Sequence, residues 1–273
     1  MSSHDAPTMT PTVPSSLPQL HPGARVLVTA AASGIGLTTA LAFVASGARV
    51  FIGDVDQPAL AKTLALYPQL KGLACNVADE AQVTALFQAA LQELGGLDVL
   101  VNNAGVSGPT AWVEDVSLDE WRACMGVNLD GTFLCARQAA RLMRAQKSGS
   151  IVNLSSTAGL YGFPRRAPYA AAKWAIRGFT KTLAQELGPQ GVRVNCICPG
   201  SVEGERMDRV IAAEALKTGQ TQAQVRDLFT QTASMRTFVS SQDIANAILF
   251  VTSDMGARVS GQEIVVDGNT ETL

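Results

Sequence analysis

The sequence has 273 residues, 47% of them hydrophobic and only 16% charged, enough apolar content to bury one large core in a single domain. A formal net charge of -2 leaves no excess of Lys or Arg to neutralise phosphates, which argues against nucleic acid as a partner. No apolar run reaches the roughly eighteen residues of a membrane span, and no basic segment leads into an apolar one near Met1, so no membrane association or secretion is expected and a cytoplasmic protein follows.

Residues 1–23 mix Ser and Thr with Pro7, Pro11, Pro14, Pro18 and Pro22, too little apolar content to offset chain entropy, so they read as a disordered leader ahead of one domain over 24–273. Both histidines, His4 and His21, lie there. The folded part therefore has no imidazole for a zinc site or a Ser-His-Asp triad, and no metal is expected.

After the leader the pattern alternates. An apolar strand at Arg25–Thr29 leads to a helix over Ile35–Ser46, a strand at Arg49–Gly53, a helix near Pro58–Leu66 and a strand at Gly72–Cys75. A helix at Glu80–Leu94, a strand at Leu97–Val101 and one long helix ending near Arg144 follow. Then come a strand at Ser150–Leu154, a helix at Tyr169–Leu187 and a strand at Arg193–Cys198. A helix at Gln242–Thr252 and a strand at Glu263–Val266 close the chain. Apolar strands separated by helices require parallel pairing with helices on both faces, a Rossmann-type doubly wound α/β sheet. The polar, helix-prone stretch 201–238 is too long for an ordinary connection and reads as a substrate lid. The odd count of five cysteines fits reduced, buried thiols, with Cys196 and Cys198 on one side of a strand.

In such sheets a ligand binds beyond the carboxyl ends of the strands, where glycine-rich turns bring backbone N–H groups and a helix N-terminus to a pyrophosphate. Thr29-Ala30-Ala31-Ala32-Ser33-Gly34-Ile35-Gly36 occupies that position, between the first strand and the first helix. Asp54, ending the second strand, is placed to accept hydrogen bonds from adenosine ribose hydroxyls and to repel a 2′-phosphate. Neither Ser33 nor Val55 supplies a cation to reverse that preference, so NAD is expected over NADP.

Tyr169 and Lys173 stand one turn apart on a helix, so an ammonium sits beside a phenol and favours its ionised form. Ser156, after the preceding strand, is placed to donate a hydrogen bond to a substrate oxygen. Together with Asn102-Asn103-Ala104-Gly105, Asn128, Ile151–Ser156, Tyr169-Ala170-Ala171-Ala172-Lys173, Arg193-Val194-Asn195, Pro199-Gly200-Ser201-Val202 and Asp267-Gly268, these motifs make the chain from Arg25 onward resemble the short-chain dehydrogenase/reductase family.

The resemblance implies an oxidoreductase moving a hydride between NAD and a secondary alcohol or ketone. It implies Tyr169 as general acid/base, Ser156 as the group polarising the carbonyl, and Lys173 as the residue that lowers the tyrosine pKa and bonds the nicotinamide ribose. Asn128 would hold a water linking Lys173 to solvent. Ser33, Gly34, Ile35, Gly36, Asp54, Asn76, Val77, Asn103, Ala104, Gly105, Tyr169, Lys173, Pro199, Gly200 and Val202 would line the cofactor, Asn103 at the adenosine ribose and Val202 at the carboxamide through its backbone. Of two serines, Ser156 rather than Ser155 has the spacing of the family.

Three departures stand out. Ala30 replaces the usual first glycine, Asn76 replaces a common Asp near the adenine amino group, and no Thr follows Pro199-Gly200-Ser201-Val202. The charged lid, with Arg165 and Arg166 near the tyrosine, suggests a small polar or acidic substrate. Apolar faces on the helices around Met125–Met143 and Trp174–Leu187 suggest a homotetramer. A 3-oxoacyl thioester reductase, a nucleotide-binding sensor without turnover, and a lyase or epimerase using NAD transiently are the competing readings.

Overall fold

Strands β1 (Arg25–Thr29), β2 (Arg49–Asp54), β4 (Val99–Asn102), β5 (Gly149–Leu154) and β6 (Val192–Pro199) are almost wholly buried runs of apolar residues, the pattern of strands covered on both faces. With the shorter β3 (Lys71–Ala74) and β7 (Glu263–Val266) they form one parallel sheet of seven strands in the order β3-β2-β1-β4-β5-β6-β7. Growth of the sheet reverses between β1 and β4. A crevice opens there at the carboxyl ends of the strands.

The computed structural model describes residues 20–270. The expected leader falls largely on 1–19, outside the described residues. Its boundary at residue 23 needs correction, because Leu20 is buried in one of the hydrophobic cores of the domain.

Alternation along the strands sends successive side chains into two cores. Val26, Val28 and Ile52 pack with Phe43 of α1 (Gly34–Ala45) and with Ile244, Ile248 and Val251 of the helix Ser241–Thr252. Leu27, Leu100 and Ile151 pack on the other face with Leu86 of the helix Glu80–Leu94, Met143 of the helix Gly131–Gln146, and Leu187 of the helix Ala167–Leu187. In chain order the α-helices after α1 are α2 (Gln57–Leu66), α3 (Glu80–Leu94), α4 (Leu118–Met125), α5 (Gly131–Gln146), α6 (Ala167–Leu187), α7 (Glu205–Thr218), α8 (Gln222–Gln231) and α9 (Ser241–Thr252). Capping boxes of Ser117 with Glu120, Thr221 with Gln224 and Ser240 with Asp243 start α4, α8 and α9. Helices α7 and α8 fill the stretch 201–238 and hold a small core of their own from Ile211, Ala215, Val225 and Phe238. All five cysteines are free and buried, with Cys196 and Cys198 on the same side of β6, their sulfurs 3.9 Å apart.

One expected element is corrected. The single long fourth helix is α4, one wide π turn at Gly126–Asp130, and then α5. The Thr132 hydroxyl donates to the Asn128 carbonyl at 2.8 Å, supplying that carbonyl with a side-chain partner in the widened turn.

Ala30 has φ 50°, in the left-handed region that disfavours a Cβ. Glycine at the neighbouring Gly36 is compulsory for another reason: a Cβ there would lie 2.2 Å from the Ala30 carbonyl oxygen. A left-handed alanine costs about 1–2 kcal/mol, of which the greater freedom of glycine in the unfolded chain takes back about 0.4–1. Ala30→Gly is therefore expected to raise Tm by about 2–4 °C in thermal unfolding. An unchanged or lower Tm would show that the turn holds no strain at this position.

Candidate active site

At the carboxyl end of β1 the chain turns through Ala30–Ser33 into α1. Ser33 is the extended residue before the helix; its side chain caps nothing, and the first turn of the helix contains no acid. The N–H groups at the positive end of α1 are thus left facing outward, beside the open space around Gly34, where φ is 54° and an added Cβ would meet nothing within 4 Å. This end suits a pyrophosphate.

Asp54 ends β2 almost buried, 9% exposed. One carboxylate oxygen accepts the Ala32 N–H at 2.8 Å and the other the Asp56 N–H at 3.0 Å, so the acid braces the glycine-rich turn. Each oxygen retains a further lone pair for a ligand hydroxyl. No ion pair among the described residues involves Asp54.

Two residues expected at the adenosine end have their side chains engaged. The Asn103 amide donates to the carbonyls of Thr29 at 3.0 Å and Ala30 at 2.8 Å, and the Thr29 hydroxyl accepts the N–H groups of Asn103 and Ala104, both at 3.1 Å. Asn76 turns its amide oxygen to the Ala78 N–H at 3.1 Å. Val77 is buried against Gly131. Beyond β6, Gly200 sits against Asp267, where a Cβ would be 2.6 Å from the Asp267 Cβ. Pro199 ends the strand, and Val202 forms a parallel bridge with Val239. That bridge uses the Ser201 carbonyl and the Glu203 N–H, leaving the N–H and carbonyl of Val202 itself pointing away from it.

Ser156 follows β5 and caps a short turn at Thr157–Gly159. Its oxygen accepts the Ala158 N–H at 3.1 Å, which leaves the hydroxyl proton for a second partner. Ser155 is different: buried, it donates to the Lys173 carbonyl at 2.8 Å and ties β5 to α6. The two serines are thereby separated by environment, in favour of the half-buried Ser156 as the available donor.

Lys173 is 3% exposed. Its ammonium donates to the Leu154 carbonyl at 2.8 Å and lies 5.6 Å from the centre of the Tyr169 ring. Asn128, fully buried in the π turn, donates to the carbonyls of Val106 and Cys124, both at 2.9 Å, while its amide oxygen has no partner. That oxygen and the ammonium flank Gly105, where a Cβ would lie 2.7 Å from the one and 3.4 Å from the other. Asn128, Ser156, Tyr169 and Lys173 thus converge, as the motifs predict, around one end of the crevice. The Leu154 carbonyl that fixes the ammonium left no trace in the sequence, since any residue presents one.

Burial pushes the Tyr169 phenol up, but the Lys173 ammonium, the Arg206 guanidinium, the Ser156 hydroxyl and Arg166 outweigh it, and the phenol lies below the ordinary tyrosine range. Burial also pulls the Lys173 ammonium down against the opposing pull of the phenol. Arg206, whose guanidinium lies 5.9 Å from the ring centre of Tyr169, belongs to the first turn of α7, far away in sequence. Among the described residues no group of three or more His, Cys, Asp or Glu is placed to hold a metal ion.

Comparison with known proteins agrees with this geometry. Residues 29–269 match the family described as enoyl-(acyl carrier protein) reductase. The chain is 36% identical, over 91% of its length and 96% of the relative, to 2-(S)-hydroxypropyl-CoM dehydrogenase 3 of Xanthobacter autotrophicus. Its fold superposes on NAD+-bound xylitol dehydrogenase with a TM-score of 0.87 at 30% identity, covering 91% of this chain and 99% of the other. A variant of actinorhodin polyketide ketoreductase with NADPH gives 0.86 at 31% identity, covering 90% and 96%.

The cations around Tyr169 make a signed prediction. A positive neighbour stabilises the phenolate, so Lys173→Met and Arg206→Met are each expected to move the phenol's ionisation to higher pH, read by ultraviolet titration of each protein against its Tyr169→Phe counterpart. An ionisation unmoved in both variants would contradict the electrostatic reading.

Proposed function

Because the chain belongs to the short-chain dehydrogenase/reductase family, we propose that it interconverts a secondary alcohol and a ketone with NAD as its cofactor, using Tyr169 as the acid/base. The observation that carries this reading is the buried Lys173 ammonium, held by the Leu154 carbonyl next to the phenol.

In the oxidation direction, the Tyr169 phenolate removes the hydroxyl proton of the alcohol, and the spare Ser156 O–H donates to the same oxygen. Lys173 keeps the phenol acidic enough for this at neutral pH and bonds the ribose next to the nicotinamide. Asn128 holds, on its unpartnered oxygen, a water that passes the proton from Lys173 toward solvent. When bound, the nicotinamide supplies the carbon that accepts or returns the hydride. Ser33, Gly34, Ile35 and Gly36 receive its pyrophosphate at the start of α1, and Asp54 receives the adenosine ribose with the lone pairs left by Ala32 and Asp56. The backbone groups of Val202 that point away from its bridge meet the carboxamide; Asn76, Val77, Asn103, Ala104, Gly105, Pro199 and Gly200 complete the walls.

The charged lid over 201–238 favours a small polar or acidic substrate. The relatives' names span a polyol, a polyketide and a coenzyme M conjugate, so likeness alone selects none of them. Reduction of a 3-oxoacyl thioester is the second reading, favoured by the acyl-carrier-protein name of the matched family and weakened by Asp54, which opposes NADPH. No described helix is long and apolar enough to cross a membrane, and the buried thiols suit a reducing cytoplasm. The exposed Phe133 of α5 and Trp174 of α6, 44% and 48% accessible, support a homotetramer assembled through these helices.

A panel of alcohols, sugars, hydroxy acids and acyl thioesters followed at the NADH absorbance is expected to give turnover with NAD at a kcat/KM about tenfold or more above that with NADP, and Asp54→Ala to narrow the ratio. Equal efficiency with both cofactors would refute the NAD assignment; no redox change with any member would refute the reaction. Light scattering at micromolar concentration is expected to give four times the chain mass, and a monomer would refute the assembly.

A further inference from the structure

Several of the described arginines have an acidic partner. Arg25 pairs with Asp98, Arg137 with Glu80, Arg165 with Glu214, Arg177 with Glu263, and Arg226 with Glu203 and Asp208. Arg166 and Arg206, the two beside Tyr169, have no ion-pair partner among the described residues. Arg166 is only 6% exposed. Its guanidinium makes one long bond, 3.3 Å to the Ser107 carbonyl, and lies 5.9 Å from the ring centre of Phe163. Arg206 likewise makes one long bond, 3.4 Å to the Gly105 carbonyl. A guanidinium carries five N–H donors, so most of the donors of the buried Arg166 and the exposed Arg206 have no protein partner.

The setting makes this costly. A buried cation without a counter-charge is strongly unfavourable, and Arg166 is also the residue that opens α6, at the positive end of that helix. Lys173 adds a further buried cation nearby. Glu214, the acid closest to hand, is already bound to Arg165 at 2.5 Å. The two guanidiniums donate to carbonyls two residues apart on one loop, Ser107 and Gly105, and Arg206 lies 5.9 Å from the ring centre of Tyr169, three residues after Arg166. On the other side of Arg166 lies a cavity of about 260 Å³ beneath the lid, lined by the Arg165–Glu214 pair, Phe163, Val210 and Phe229 but not by Arg206 or Tyr169. The volume suits a small molecule.

We propose that the substrate is a small alcohol bearing an anionic group, a carboxylate or phosphate, which Arg166 and Arg206 grip together while the hydroxyl lies against Tyr169. The inference rests on the dehydrogenase reading above and narrows its substrate class. Arg166 comes from the fixed body of the domain and Arg206 from the first turn of α7, directly after Gly204, whose φ of 136° only glycine adopts readily. The anion therefore bridges core and lid, and only an anionic alcohol completes the pocket. Planar guanidinium forks match both carboxylate and phosphate, so the geometry names the charge rather than the acid.

The test uses matched pairs: lactate and 3-hydroxybutyrate against their methyl esters, and glycerol 3-phosphate against glycerol, each with the full-length protein and NAD. The anionic members are expected to exceed the neutral ones in kcat/KM by about thirtyfold or more, and Arg206→Met to cut that ratio by about tenfold. Arg206→Lys, keeping the charge without the fork, should fall between. Arg166→Met should act in the same sense, with circular dichroism confirming its fold. A second readout does not depend on turnover: calorimetric titration of the same pairs into NAD-loaded Tyr169→Phe protein, with and without Arg206→Met. Anion-selective binding lost with Arg206 supports the proposal even where no probe is oxidised, whereas absence of oxidation counts against the dehydrogenase reading alone. Neutral and anionic probes that bind and react alike overturn it. So does an Arg206→Met variant that weakens NAD binding and leaves the acid-to-ester ratio intact, which would assign Arg206 to the cofactor.

Discussion

The site depends on one ammonium being held still in a place where water cannot screen it. Lys173 is buried, anchored to the Leu154 carbonyl and set beside the Tyr169 ring, so its charge acts on the phenol through protein rather than solvent. Both anchor points come from neighbouring elements of one scaffold: Leu154 ends β5, and Lys173 is the seventh residue of α6, which Ser155 ties to the same strand through the Lys173 carbonyl. The polarity of the sheet then places Ser156, the next residue along, at the mouth of the crevice. A shift of β5 against α6 would separate all three groups at once.

The nucleotide end follows a different logic, in which polar side chains spend themselves on the backbone of the glycine-rich turn. Asn103 and Thr29 hold the turn from beneath, and Asp54 holds it from the side. The turn is kept open in a conformation that Ala30 adopts with strain, and the first N–H groups of α1 remain available. Rigidity here is assembled before any ligand arrives, which lowers the ordering cost of binding.

Much of this was legible in the sequence because the relevant signals are local. Continuous apolar runs located the strands, the Ser33–Gly36 turn marked the start of α1, and the spacing of Tyr169 and Lys173 marked one turn of α6. What escaped was set by tertiary contact. The π turn around Asn128 reads as ordinary helix, since Gly126–Asp130 has no proline or capping signal and the widening is stabilised by the bond of Thr132 back to residue 128. Leu20, amid prolines, reads as leader, yet it is buried against the core. Arg206 reads as a charged lid residue; only folding brings it over the tyrosine ring. The Asn103 amide is bonded to the backbone of the turn, a partner fixed by side-chain direction rather than by residue type.

The most direct test of the account removes one oxygen. Tyr169→Phe keeps the ring and its packing but deletes the hydroxyl proposed to exchange the proton. Redox turnover is expected to fall by about a thousandfold, within the usual range for loss of a general acid/base, while NAD affinity measured by calorimetry stays within about threefold. Undiminished turnover in that variant would contradict the central claim.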